Sequence, residues 1–283
     1  MAHVLTTLSI RRMLYKFYAS VARFLRLEWA FIKNCLTRDI QYRGNFFLVF
    51  VMDIVWYAVN LGFFEVIYFN TSTIAGYTRS DVFFFMATTF VIDAIDMTFF
   101  ASGIWQMSDF IRKGDFDFIL SKPISPLMYS TMRYVSFGSL LDLIFAVGLL
   151  IIAFFNLDVT PTALDIAAYI VLAVSGLIVM YSIQVFFAAL GFIFVNASTG
   201  LQWGFHHLYQ LAMRPEAIYK GIFRFFLLYL LPMIVISSVP STMILRGFNL
   251  QTFLTCITIS MVSLFLTVKF FYFALRHYES ASS

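Results

Sequence analysis

Charge is what this sequence has least of. Only 12% of its 283 residues are Asp, Glu, Lys or Arg, against roughly 25% in an ordinary soluble domain. With 61% apolar residues and 36 phenylalanines, a water-soluble globule has too little polar surface to cover itself. Cysteine is nearly absent: Cys35 lies in a basic arm and Cys256 in a late apolar run. They are expected at different membrane depths, which excludes a disulfide framework. No Gly-rich loop ending in Gly-Lys-Ser/Thr occurs, so the chain lacks the usual cradle for nucleotide phosphates. Any ATP must be handled by another polypeptide. No nucleophile stands with a base, and the scattered Ser and Thr sit in apolar runs, where they bond backbone or a neighbouring helix. His206 and His207 are adjacent and diverge by about 100° on a helix, which makes them a polar pair rather than metal ligands. The first 43 residues carry eight Lys/Arg and no uninterrupted apolar core, so no cleavable signal is expected and the first span must direct insertion.

Long uncharged runs fill the rest. Ile166 to Met213, Phe225 to Leu245 and Gly247 to Val268 hold no Asp, Glu, Lys or Arg. Each meets the length of about 20 residues that a helix needs to cross the hydrocarbon core. They are apolar on every face, which excludes the alternation of a membrane β-barrel. The chain is therefore an all-α polytopic membrane protein. Six transmembrane spans are predicted at 44–69, 81–105, 127–155, 163–195, 221–245 and 248–275, after a cytoplasmic arm at 1–43 and before a tail at 276–283. Positive residues are retained on the cytoplasmic side. The arm holds Arg11, Arg12, Lys16, Arg23, Arg26, Lys33, Arg38 and Arg43; the second connection Arg112, Lys113 and Lys122; the fourth Arg214 and Lys220; the tail Arg276. The other connections hold only Arg79, none, and Arg246. Both termini are expected in the cytoplasm.

If residues 8–40 are helical, Arg12, Lys16, Arg23, Arg26 and Lys33 line one side, while Leu14, Phe17, Val21, Phe24 and Phe31 lie mostly opposite. Such a helix lies flat on membrane lipids; the bland alternative is a solvated basic tail. Nucleic acid is not an expected partner, because the net charge of +4 follows from the cytoplasmic bias. Inside the expected spans the ionisable residues are Asp53, Glu65, Asp93, Asp96 and Asp142, each costly unless paired, hydrated or neutralised. Asp93 and Asp96 share a helical face. With Asp142 they are candidates for a substrate route attractive to cations. On the structural alternative they bond other helices, with Arg133 two turns into span three as a partner for Asp96.

Charge crowds together once in the middle of the chain, in FIRKGDFDFILSKPISP, Phe110 to Pro126. It reads as a short amphipathic helix between spans two and three. Gly114 permits a bend, and Pro123 and Pro126 end the helix and turn the chain into span three. Held at the membrane surface, it suits contact with a soluble partner, or else is a hairpin with none. Pro232 and Pro240 remove backbone donors and are expected to kink or break span five near its outer end.

Together RKGDFDFILSKPISPLMYS and AMRPEAIYKGIFRFFLLYLLPMIVISSVPSTMIL resemble the two signature regions of bacterial type-two-class ABC exporter permeases. This is the six-span family that includes viologen-exporter permeases and is more distantly related to daunorubicin-resistance permeases. The likeness covers almost the whole chain. It implies an amphipathic elbow helix within 8–40 and a cytoplasmic coupling helix at Arg112–Pro126, with Gly114, Asp115, Asp117, Lys122, Pro123 and Pro126 matching the signature and Arg112 and Lys113 beside them. It also implies a non-catalytic subunit in the bacterial inner membrane that binds no cofactor of its own. Two copies of a soluble ATPase subunit would carry ATP and Mg, and a second permease, identical or paralogous, would complete the route. Arg214-Pro215 departs from the Tyr-Pro usual in the second signature. Two other readings stay open: an ion- or proton-coupled secondary transporter, which wants membrane acids but no docking turn, and a membrane scaffold or enzyme.

Overall fold

The computed structural model describes residue 26, residues 29–37, residue 41 and residues 43–278. Within them the chain is helical, without a named strand. Helix α1, Arg43–Tyr68, sorts its side chains by spacing. Leu48, Met52, Val55, Val59, Phe63 and Val66 are exposed at intervals of three or four, the stripe of one helical face. Tyr57 and Phe64 face the core.

Helix α2 is the central pillar and runs Arg79–Lys113, eight residues past the expected end of span two. Thr78 caps it reciprocally: its backbone N–H donates to Asp81 Oδ2 at 2.9 Å, and Asp81 N–H donates back to Thr78 Oγ1 at 3.3 Å, satisfying two otherwise orphaned donors. A π-turn at Met97–Ala101 interrupts it. The chain then makes a one-turn helix α3, Asp117–Leu120, and α4, Pro126–Met132. Ser125 is the cap of α4 and Pro126 its first residue, where a missing N–H costs nothing. Pro126 thus starts a helix rather than ending one.

Expected span three is two pieces. The chain breaks after Met132 and resumes as α5, Phe137–Phe155, capped by Ser136. At the break, Ser136 N–H donates to the Thr98 carbonyl, 3.0 Å away in the π-turn. Gly103 lets α4 approach α2: an added Cβ would lie 2.3 Å from the Thr131 carbonyl oxygen. Residues 29–37 are helical and dock here. Phe31 meets Tyr129 edge-on at 5.7 Å, and the Cys35 thiol donates to the Arg133 carbonyl at 3.5 Å while accepting from Val135 N–H at 3.4 Å. Both cysteines are free. Arg26 and Lys33 are exposed, as expected of a polar face, whereas Arg12, Lys16 and Arg23 lie outside the described residues.

Helix α6, Ala163–Leu190, carries a second capping box from Thr162 and Asp165. A turn at 191–197 leads into α7, Ser198–Ala212. Then follow α8, Gly221–Leu230, and α9, Met233–Arg246, bent 97° from one another, and α10, Leu250–Leu275. Residues 221–245 therefore do not form one straight span. Pro232 sits in the break, as its missing donor predicts, while Pro240 lies inside α9. The break packs within the bundle rather than at its outer end: Ser237 Oγ donates to the Ala212 carbonyl at 3.0 Å, and Ile236 abuts Gly176, about 20 Å below the start of α6 at 1.5 Å per residue.

The bundle has two ends. At one lie the α2–α4 connection, the 191–197 turn and the end of α10. The other is tied by Arg79 Nη2 to Glu65 Oε2 at 2.6 Å, by Arg246 over the Tyr77 ring, and by Phe248 N–H donating to Asp165 Oδ1 at 2.7 Å. Arg214 stacks on Phe63 at this second end, 4.2 Å from the ring centroid. The sequence placed the Arg214–Lys220 connection with the first group; the structure moves it. Ser198 Oγ donates to the Ser108 carbonyl, so α7 runs from the first end to the second. The pair α8–α9 enters and leaves at the second, where Arg224 pairs with Glu216 at 3.3 Å. Arg79, Arg214, Lys220, Arg224 and Arg246 thus gather at the second end, and Arg112, Lys113, Lys122 and Arg276 at the first.

Candidate functional site

Charge, glycine and proline build a foot at the end of α2. The helix stops in a Schellman motif. Gly114 takes φ +78°, a conformation that only glycine adopts at no steric cost. Gly114 N–H donates to the Ile111 carbonyl at 3.3 Å, and Asp115 N–H to the Phe110 carbonyl at 2.9 Å, satisfying two terminal acceptors. Phe110–Lys113 thus belong to α2, and the connection is a helix end, a turn and one further helical turn rather than a single short helix.

The reversal drives Phe116 into the bundle, where it is fully buried. Its ring meets Phe192 of the 191–197 turn edge-on at 4.8 Å and Tyr278 at 5.8 Å. Phe192 in turn meets Phe271 of α10 at 5.6 Å. Ile111 and Ile119 close the same cluster, and Ser125 Oγ hydrogen-bonds Tyr272 Oη at 3.0 Å. Burial, with the Asp117 and Asp115 carboxylates nearby, pushes the Tyr278 phenol up, so it stays neutral at physiological pH. The opposite side of the foot is open. Phe118 is 71% and Leu120 41% exposed, and Arg112, Lys113, Lys122 and Pro123 are exposed with them. A cleft of about 340 Å³ runs between this tip and α4, past Phe110, Phe118, Lys122 and Tyr129. The foot is thus anchored on one side against the 191–197 turn and the end of α10 and open on the other.

The membrane acids divide. Glu65 is paired with Arg79 near the rim and is no part of the interior. Asp93 and Asp96 of α2 and Asp142 of α5 are buried, with Asp53 of α1 partly so. Asp53 faces Asp142, and Tyr209 of α7 faces Asp93. Asp96 Oδ2 accepts a 2.7 Å hydrogen bond from Gln184 Nε2 of α6. The second oxygen of Asp96 and one oxygen of Asp93 meet no donor in bonding geometry, and Asp142 meets only the Asp53 carboxyl. Among the described residues none of these acids pairs with Lys or Arg. Arg133, expected to answer Asp96, lies at the α4–α5 break with its guanidinium over Tyr129 and Tyr134, 5.0 Å from each centroid. Gln184 takes its place. His206 and His207 have ring centroids 6.4 Å apart, and among the described residues no group of His, Cys, Asp or Glu converges to hold a metal ion.

Long apolar helices packed above an anchored foot define a multi-pass membrane protein. The family described as ABC-2 family transporter protein matches residues 54–282, and the chain belongs to it. It is a membrane component of an ABC transporter. No match is found among curated proteins or among solved structures.

Sequence reasoning found the tip of the foot but not its socket. Phe192, Phe271 and Tyr278 have no local signal among 36 phenylalanines and 15 tyrosines. Gln184 had one: it is the only amide side chain within α6.

Proposed function

We propose that the chain is one half of the translocation unit of an ATP-driven exporter in a bacterial inner membrane, moved through the foot by a separate ATPase. Two ATPase copies carry ATP and Mg, and a second permease, identical or paralogous, completes the route; the exposed stripe of α1 is free for lipid or for that copy. In this reading α1, α2, α4–α5, α6, α7 and α10 cross the bilayer, both termini are cytoplasmic, and α8–α9 is a hairpin that dips in from outside. The basic arm lies on the inner leaflet. The observation that carries the proposal is the two-sidedness of the foot: Phe116 locked at 0% exposure beside Phe118 at 71%. Phe118 and Leu120, the latter 41% exposed, together give the foot an apolar tip that suits a partner's groove.

The full chain, purified from native membranes, is expected to co-elute with Mg-dependent ATP hydrolysis. Phe118→Asp together with Lys122→Glu changes only exposed side chains and is expected to lose that activity while the permease stays monodisperse. Retention of the ATPase by this double variant would place docking elsewhere.

The buried acids supply the second element, a stretch of the route that favours cationic substrates. Burying carboxyls without cations costs several kcal/mol, a cost that a positively charged cargo offsets. Asp96→Asn keeps the acceptor for Gln184 but removes the ionisable oxygen. Export of cationic compounds is expected to fall about tenfold or more with little change in melting temperature, since one charge-assisted contact is worth about 1.5–3 kcal/mol. Unchanged export from a destabilised protein would mark Asp96 as a structural hydrogen-bond partner only.

A further inference from the structure

A cavity lies at the end of the bundle away from the foot. About 490 Å³ in volume, it is walled by α8, α9 and the first turns of α10 and is of the size that holds a drug-sized ligand. We propose that it binds an amphiphile with a single anionic head. Its charged groups are not balanced. Glu216 Oε2 is engaged by Arg224 Nη2 at 3.3 Å, and its backbone N–H is held by Ser238 Oγ at 2.8 Å. Arg246 has no carboxylate or carbonyl acceptor among the described residues. Its guanidinium lies over the Tyr77 ring, 4.9 Å from the centroid, a contact that holds the cation in place without consuming its N–H donors. Arg246 is solvent-exposed, so its donors face water at the edge of the cavity, where a phosphate, carboxylate or sulfonate head can take that water's place.

Below the arginines the lining is apolar: Leu228, Val239 and Met243 form the floor, and the last two are buried in the core. Tyr229, 52% exposed, stands at the mouth. Head and tail requirements are therefore met in one space. An anionic membrane lipid and a free anionic amphiphile share this chemistry.

Native mass spectrometry of the full chain in neutral detergent, without any ATPase, separates these sources and leaves the coupling reading untouched. Phosphatidylglycerol, phosphatidylcholine, dodecyl phosphate and inorganic phosphate are the probes. One equivalent of phosphatidylglycerol retained marks a membrane lipid; retention of dodecyl phosphate alone marks a free amphiphile; either supports the site. Arg246→Gln is expected to weaken retention about tenfold, the loss of one charge-assisted contact. Thr255→Trp, which fills the cavity from α10 and leaves both arginines in place, is expected to abolish it, and decides the matter if Arg246→Gln fails to fold. The proposal is overturned if neither anionic amphiphile is retained, if phosphatidylcholine or inorganic phosphate binds as well, or if both variants bind like the parent.

Discussion

Phe116→Ala is expected to destabilise the folded chain by about 3–5 kcal/mol, the usual cost of removing a fully buried phenylalanine, and to leave an ATPase subunit bound but without effect on the permease. The ring touches Phe192 and Tyr278, so it joins the foot to the α6–α7 turn and to the segment after α10. Without it the tip residues Phe118 and Lys122 remain available to a partner, while the displacement they receive is absorbed in the cavity left behind. The expected signature is normal co-purification, ATP hydrolysis that no longer responds to substrate, and lost export. Phe116→Leu, which retains most of the buried volume, should recover part of both stability and coupling. If Phe116→Ala instead abolishes ATPase binding and leaves the melting temperature unchanged, the residue belongs to the docking surface and the socket interpretation fails.

The outer features of this molecule were legible because charge is scarce in it. Every cluster of Lys and Arg stands out, so the charged foot at the end of α2 could be read from the chain. Gly114 and Pro126 marked local geometry that the structure keeps, the left-handed helix end and the first residue of α4. What could not be read is what an apolar run conceals. Ile166 to Met213 contains a complete reversal at 191–197 with neither proline nor charge to announce it, so two helices looked like one span and a loop. Residues 221–245 read as one apolar run, yet α8 and α9 are bent 97° from one another, with α9 buried and much of α8 exposed. Moving Arg214 to the other end follows from the same error. Arg133 looked deep in span three because nothing in Met132–Ser136 breaks a helix by propensity. The break is sustained by tertiary partners, the Cys35 thiol and the Thr98 carbonyl exposed by the π-turn. Gln184, rather than a cation, answers Asp96, because neutral amides satisfy a carboxyl in the core without bringing in a second charge to desolvate.

Gly176→Ala is expected to displace the α8–α9 hairpin as a unit. A Cβ at position 176 would stand 2.1 Å from the Ile236 carbonyl oxygen, 2.8 Å from its carbon and 3.0 Å from its Cα. All three are backbone atoms, so no rotamer change relieves the overlap; α9 must retreat by about 1 Å or more, a larger strain than the 1–3 kcal/mol of ordinary overpacking. The identity of that carbonyl explains the closeness. Its helical donor would be the N–H of residue 240, four positions on, and residue 240 is proline, which has none and whose ring pushes the carbonyl outward. The oxygen leans onto the one place in α6 without a side chain, where the glycine Cα–H groups give it a weak partner. Gly176 and Pro240 are thus two halves of one contact, and their effects should not add. Pro240→Ala restores the missing donor and draws the carbonyl back into α9, so it should cost less in the Gly176→Ala background than in the parent chain. Both single variants are expected to lose export while keeping the foot and its partner. Strict additivity of the two destabilisations, measured by thermal unfolding of all four proteins, would mean that the carbonyl does not move and that the hairpin is held by other contacts.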